Sequence, residues 1–282
     1  MLTILVSTSN ERLLDLRIPP LVMGFKCFVV HQVYNHALAA TSFDEFLIDK
    51  DFGYKRLDYP GLSKSRNCAL SNVETKYAFI MDDDVEFDVE KMQFLISWME
   101  ANEVDVATCQ HQFENGAFPK KYKPDSFRHN LLSVAKVSSI DICINIESLR
   151  KAGVCFDERF GLGTELPSGE EYIFLADCLR HGLDVRYYPI TIGVHPAVTS
   201  GMDFYSSSNK VLAKREMLKR VFGWSSVFFI FAFWLKKVPA VIRVGYFLSF
   251  TKTMIFGVKD KNKARVNSCL LYTSPSPRDR QK

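Results

Sequence analysis

Short apolar runs and amphipathic stretches alternate along the first two thirds of the chain, and each change of period marks an element. Leu2–Ser7 predicts a buried strand. Ser7-Thr8-Ser9-Asn10 follows, with Ser9 or Asn10 placed to cap a short helix through Leu16. Residues 26–33 (KCFVVHQV) predict a second strand, and Phe46-Leu47-Ile48 a minor one. Gly61 to Asn67 leads into a helix carrying Cys68, Ala69 and Leu70. Tyr77–Met81 reads as a short buried strand. Val89–Asn102 has the apolar period of a helix, with Asp88 as its N-cap, and Asp105–Cys109 begins another strand. This alternation predicts an α/β fold with a mostly parallel central sheet flanked by helices.

The middle of the chain is less regular. Ser139–Ile146 (SIDICINI) predicts a strand, and Glu147–Ala152 a short helix that Gly153 ends. Phe156 to Gly163 is a Gly-rich turn. Ser168-Gly169-Glu170-Glu171 opens a helix to about His181, stopped by Gly182. Asp184–Tyr188 is a strand, and Ile190–Val194 extends toward His195-Pro196.

After Gly201 the character changes. Asn209–Arg220 predicts a basic helix. Ser225–Leu235 (SSVFFIFAFWL) is an apolar run followed by Lys236-Lys237, and Val238–Val258 is apolar around Arg243 and Lys252. Neither stretch reaches the ~20 uninterrupted apolar residues of a spanning helix. Two readings stay open for this segment: an amphipathic, aromatic-rich element in the membrane interface, or a pair of core helices. Cys269–Lys282 (CLLYTSPSPRDRQK) lacks periodicity and is expected to be disordered. It resembles a translated sequencing adapter, so the natural chain is expected to differ beyond about residue 268. Three regions result: 1–205, 206–268 and 269–282.

Composition narrows the picture. The chain has 282 residues, 47% hydrophobic and 24% charged, which is globular and enough for a large core. A net charge of +4, with the basic excess late in the chain, implies no nucleic-acid partner. Seven cysteines include no close CxxC pair, so a structural zinc site is not expected and a reducing, cytoplasmic setting fits best. No signal peptide is visible at the N-terminus.

The most informative chemistry is Asp82-Asp83-Asp84 at the end of the Tyr77–Met81 run. Three like charges repel unless something positive gathers them. In an open α/β sheet, ligands bind at the C-terminal strand ends. Carboxylates suit Mg²⁺ or Mn²⁺, ions that also hold phosphates. The triplet alone equally fits an acidic turn with Asp83 or Asp84 as an N-cap. Gly169-Glu170-Glu171 with His195 forms another polar cluster, and Ser7–Arg12 and Gly61–Asn67 two more.

These segments, in this order, resemble glycosyltransferase family 2, whose fold is GT-A, a Rossmann-like α/β architecture. Gly61-Leu62-Ser63-Lys64-Ser65-Arg66-Asn67-Cys68-Ala69-Leu70 is similar to the family's "G-x-x-x-x-RN-x-A/G-L" stretch. Phe79-Ile80-Met81-Asp82-Asp83-Asp84 is similar to its DxD segment. Phe156-Asp157-Glu158-Arg159-Phe160 and Gly169-Glu170-Glu171-Tyr172 are similar to its acceptor-side motif. The resemblance spans about residues 3–200.

It implies a catalytic domain over 1–205, binding nucleotide sugar through 1–110 and acceptor through 111–205. Asp84 and His195 would hold Mn²⁺ or Mg²⁺. Asp82 and Asp83 would face the nucleoside, one or the other accepting hydrogen bonds from the ribose hydroxyls, Arg66 would contact phosphate or base, and Thr8 and Ser9 would lie beside the base. Family members usually carry an Asp near the end of strand two, where Gln32 stands here. Glu171 would be the catalytic base, with Glu170 as fallback or acceptor ligand; the family usually has Asp at the second place. A glutamate is ionised at ~pH 7 and can accept a proton.

The implied activity is inverting, metal-dependent hexosyl transfer from a nucleotide sugar, expected to be a UDP-sugar, to a saccharide or lipid-linked saccharide. The setting is bacterial-type polysaccharide synthesis in the cytoplasm, either free or, on the interface reading of the C-terminal segment, peripheral on the inner face of the membrane. One competing reading is a nucleotidyltransferase acting on sugar phosphates. It would need a Gly-rich, basic phosphate loop near the N-terminus, and Ser7–Arg12 contains no Gly. Another is a catalytically inactive relative, against which Asp84 and Glu171 stand. A glycoside hydrolase uses two carboxylates but needs no clustered acidic triplet.

Overall fold

The structure is a computed structural model that describes residues 1–16, 18, 23–35, 43–47, 52–196 and 207–258. In chain order its strands are β1 (Leu2–Ser9), β2 (Phe25–Gln32), β3 (Gly53–Leu57), β4 (Tyr77–Asp82), β5 (Glu86–Phe87), β6 (Val106–Phe113), β7 (Phe127–Arg128), β8 (Ile142–Asn145) and β9 (Val185–His195). Its helices are α1 (Asp44–Leu47), α2 (Leu62–Ser71), α3 (Val89–Ala101), α4 (Ile146–Ala152), α5 (Glu170–Arg180), α6 (Ser208–Phe222), α7 (Ser226–Arg243) and α8 (Phe247–Phe256). Two compact units divide the chain: residues 1–164 with 169–199, and 165–168 with 200–282.

The first unit is a mixed α/β domain. The sheet runs β3-β2-β1-β4-β8-β6-β9-β5, with β7 also paired to β9. β1 is parallel to β2 and β4, and β2 to β3. β8 is antiparallel to both β4 and β6. The two reversals restore direction, so β6 and its parallel neighbour β9 run the same way as β1 and β4. The C-terminal ends of β1, β2, β4, β6 and β9 therefore lie along one edge, where an α/β sheet binds ligands. β5 and β7 add further antiparallel pairs. The long ladders of the sheet are parallel, and the antiparallel pairings of β8, β5 and β7 are short.

β1 is buried along its whole length and β4 up to Met81, because both faces are covered, as in a central strand. Ile4, Phe79, Cys143 and Ile192 share a core with Met92, Leu95, Ile96 and Met99, the i, i+3, i+4, i+7 face of α3. Asp88 caps α3 by accepting from the Lys91 amide at 3.0 Å. Gly153 ends α4 in the left-handed region, at φ 65°.

Two local expectations fail. Phe46 and Leu47 lie in a single helical turn, not a strand, and Ile48 falls outside the described residues. The apolar residues over 139–146 are split three ways: a 3₁₀ turn at Ser139–Asp141, β8, and the first residue of α4. A short run buried on all sides has no period that separates these forms. No disulfide links the cysteines among the described residues, four of which are buried and free.

His129 gives this unit a pH dependence. It is buried, with Nε2 2.8 Å from Thr108 Oγ1 and Nδ1 2.9 Å from Ser133 Oγ. Burial, and secondarily the Lys120 charge, lower its pKa from 6.5 to about 4. Between those values the unfolded chain holds the proton more strongly. The stabilisation is complete above pH 6.5 and is lost as pH falls through 4, a loss of about 3 kcal/mol. Urea midpoints should fall across that window, and His129→Gln should flatten the fall. An unchanged slope in the variant would assign the effect elsewhere.

The second unit contains α6, α7 and α8, which contact one another. Phe222 stacks on Phe229 across the turn at Gly223, with ring centroids 3.5 Å apart, and Trp234 Nε1 donates to Thr251 Oγ1 at 3.0 Å. Ser208–Arg243 is long and apolar enough to cross a membrane by length and composition, which modifies the expectation that no stretch reaches that length. The stretch 259–282, including the expected disordered tail, lies outside the described residues.

Candidate active site

The aspartate triplet sits at the end of β4, beside the end of β1. Two arginines gather it. Arg12 follows β1 on a 3₁₀ turn that Asn10 opens at φ 49°, a left-handed conformation that asparagine tolerates. The turn is held from below. The Asn10 carbonyl contacts His31 Nε2 at 2.8 Å, and Asn10 Oδ1 accepts the Tyr34 and Asn35 amides, each at 3.2 Å. His31 Nδ1 meets the Tyr54 hydroxyl at 2.8 Å, and burial lowers the His31 pKa.

Arg12 forks onto Asp83: Nε donates at 2.9 Å and Nη2 closes the second arm. Nη2 also reaches Asp84 Oδ2 at 3.2 Å. Thr8 Oγ1 donates to Asp83 Oδ2 at 2.6 Å. Burial works against the Arg12 charge, but Asp83, then Asp84 and Asp82, hold its pKa above the ordinary range. Burial raises the Asp83 carboxyl, with Arg12 and Thr8 opposing. Asp83 is thus occupied by protein donors, while Asp84 stays half-exposed.

Arg66, on α2, is 2% exposed. Its Nη2 donates to Asp82 at 3.2 Å and its Nη1 to Glu170 at 3.3 Å. It therefore ties the end of β4 to the first turn of α5. Burial disfavours its charge, yet Asp82, Glu170 and Glu171 together raise its pKa. Glu170 is buried; Glu171, next in the same turn, is partly exposed. Removing one partner of a buried ion pair costs about 3–5 kcal/mol. Arg66→Leu should lower stability by that order in urea unfolding, and adding Glu170→Gln should recover part of it. An unaltered midpoint in the single variant would refute the tie.

α2 is also stitched to the loop that precedes α5. Asn67 Nδ2 donates to the Phe156 carbonyl and Asn67 Oδ1 accepts the Phe156 amide, both at 2.9 Å. Ser63 Oγ donates to the Phe160 carbonyl at 2.6 Å, and the Leu62 amide to the Leu162 carbonyl at 2.8 Å. Gly61 and Gly163 meet backbone to backbone. A Cβ on Gly163 would lie 2.9 Å from the Gly61 nitrogen, and Gly163 has φ 82°, so no other residue fits without a shift.

His195 ends β9 on the same sheet edge. Its Nδ1 is 2.6 Å from the Pro196 carbonyl, which assigns the ring proton to Nδ1 in the neutral form. Nε2 then turns a lone pair toward Asp84 Oδ1, 3.6 Å away and beyond hydrogen-bond range. Two electron-rich atoms facing each other fit a cation held between them. One carboxylate and one imidazole are a sufficient protein contribution for Mn²⁺ or Mg²⁺ when substrate phosphates and water supply the rest. Behind His195, His111 Nδ1 contacts the buried Asp141 at 2.7 Å, and Lys120 Nζ donates to the other Asp141 oxygen at 2.9 Å. The His111 and His195 ring centroids lie 6.2 Å apart.

At the other end of the edge, Ser9 pairs in register with Gln32, and both are buried. Gln32 Oε1 has no hydrogen-bond partner among the described residues, a buried acceptor that fits an N–H of a ligand. The structure thus joins Thr8 to Asp83, Arg66 to Asp82 and Glu170, and His195 to Asp84, and sets Ser9 beside Gln32. Arg12 and Asn10 fell within the Ser7–Arg12 cluster without a site role of their own, and His31 and the His111–Asp141–Lys120 group were not singled out from sequence. Charge balance alone could have found Arg12, a cation just after β1 and facing an acidic triplet.

The family model for glycosyl transferase family 2 matches residues 37–154. Among solved structures, S. aureus TarS 1-349 is similar with a TM-score of 0.58 at 15% identity, over 89% of this chain and 72% of that one. TarS 1-349 in complex with UDP-GlcNAc gives 0.56 at 14%, over 90% and 82%. The mannosyltransferase PcManGT from Pyrobaculum calidifontis, in complex with GDP-Man and Mn2+, gives 0.52 at 12%, over 78% and 63%. No curated protein matches the chain by sequence. At these identities the likeness to solved structures is one of fold. The family match runs through α2, the aspartate triplet and β8 to the end of α4, and the fold around it is the GT-A fold of these solved structures.

Proposed function

We propose that this chain is a family 2 glycosyltransferase that transfers a hexose with inversion, in a metal-dependent reaction, from a nucleotide-sugar donor to a saccharide or lipid-linked saccharide. The donor is taken to be a UDP-sugar and the setting cytoplasmic polysaccharide synthesis. One observation carries the reading: Asp84, His195 and the α5 acids converge on the sheet edge that already holds Ser9 and Gln32. The UDP-GlcNAc bound to TarS and the GDP-Man and Mn2+ bound to PcManGT support the donor class and the metal.

Asp84 and His195 would hold the divalent ion, and the imidazole favours Mn²⁺ over Mg²⁺. When bound, the ion neutralises charge growing on the departing diphosphate. The residues of the chain do the rest. Ser9 and Gln32 receive the base, with Gln32 Oε1 as acceptor for a base N–H. Asp82 faces the ribose hydroxyls. Asp83, clamped by Arg12 and Thr8, keeps the turn after β4 in place. Arg66 acts through Asp82 and Glu170 and fixes the start of α5. Glu171, without the Arg66 hydrogen bond that its neighbour accepts, takes the proton from the acceptor hydroxyl as the sugar's anomeric carbon is attacked. Calorimetry with UDP, GDP and dTDP, with and without Mn²⁺, tests the donor half of this reading.

A further inference from the structure

The second unit carries a feature that glycosyl transfer does not use. Trp224, Val227, Phe228, Phe231, Leu235 and Ile242 are all exposed, Trp224 fully and Phe228 at 78%. They recur every three or four residues, or a multiple of that spacing, and so form one stripe along α7 and the turn before it. The helix packs through its other side: Ile230 and Val241 are buried, and Trp234 bonds to Thr251 of α8. A soluble protein rarely leaves so continuous an apolar stripe in water.

Charge identifies what covers it. Over residues 207–258, nine lysines and arginines stand against a single acid, Glu216. Lys236 and Arg243 are exposed just beside the stripe. A second copy of so basic a unit would be repelled. A membrane with anionic headgroups would be attracted, and would take aromatic side chains into its acyl boundary. The apolar run Ser226–Leu235 ends at Lys236-Lys237 and Pro239. Its length is about 15 Å at the helical rise, half of the ~30 Å hydrocarbon core. That suits a helix lying in the interface and not one crossing it.

We infer that α7 lies in the interface of an anionic membrane, with the Trp224–Leu235 stripe in the acyl boundary and the flanking cations at the headgroups.

Flotation of the full chain with vesicles tests this. Phosphatidylglycerol–phosphatidylcholine vesicles should retain it about tenfold better than phosphatidylcholine alone, with the gain reduced by salt. The double variant Phe228→Ser/Phe231→Ser changes only exposed side chains and should lower retention by about tenfold or more. Lys236→Glu/Lys237→Glu should remove the anionic preference while leaving the apolar stripe in place. Nucleotide binding, measured on the same samples, should be unchanged in both variants. Loss of nucleotide binding in the wild type would count against the catalytic reading and not this one. Equal retention on both vesicles would overturn the proposal. So would resistance to alkaline carbonate extraction, which marks a spanning helix, or a dimer that the phenylalanine variant abolishes with no flotation in the wild type.

Discussion

Asp84→Ala is expected to abolish sugar transfer and to erase the dependence of nucleotide binding on divalent metal. Asp84 offers Oδ1 toward His195 Nε2 at 3.6 Å, and the adjacent Asp83 is already held by Arg12 and Thr8. Charge neutralisation of a leaving diphosphate is worth several kcal/mol, so the loss in rate should be about 10³-fold or more. The fold should not suffer. The bond from Arg12 to Asp84 is an exposed one of the kind worth ~0–1 kcal/mol, and Arg12 keeps its fork on Asp83. Calorimetry with Mn²⁺ and the UDP, GDP and dTDP panel, with melting curves as control, separates the two effects. Equal nucleotide affinity with and without metal, in wild type and variant alike, would sink the metal site.

Glu171→Gln should leave donor binding intact and lower transfer by about 10²- to 10⁴-fold, the usual contribution of a positioned base. The substitution keeps size and removes only the ability to take a proton. Glu170→Gln is the informative contrast. Glu170 is buried against Arg66, so that change should act on stability and on the placement of α5 as well. Release of nucleotide diphosphate in the presence of acceptor, beside donor affinity, distinguishes them. Full turnover in Glu171→Gln together with loss in Glu170→Gln would move the base to Glu170.

Much of the fold and the site was legible in the chain because its signals are local. Leu2–Ser9, Tyr77–Asp82 and the α3 face declare themselves by apolar period, and Asp88 and Gly153 mark helix ends by their own chemistry. The order of Arg66-Asn67, the aspartates and Glu170-Glu171 along the chain points by itself to one sheet edge. What was not legible depends on distant partners. That Arg12 clamps Asp83 requires β1 and β4 to be neighbours. That Arg66 turns to carboxylates follows from how α2 meets α5. The antiparallel insertion of β8 between β4 and β6 leaves no mark on the apolar run Ile142-Cys143-Ile144, and the buried Asp141 beside His111 looks, in sequence, like any acid in a turn.

The stitching of α2 to the 156–163 loop bears on how such enzymes could be recombined. Asn67 and Ser63 belong to α2, yet their hydrogen bonds go to Phe156 and Phe160, on the approach to α5. A chimera joined anywhere between residues 68 and 155 would separate these partners and bring a foreign loop against Gly61, where even one methyl group is too large. The unit that can be exchanged is therefore discontinuous: the loop and the ten residues of α2 must travel together.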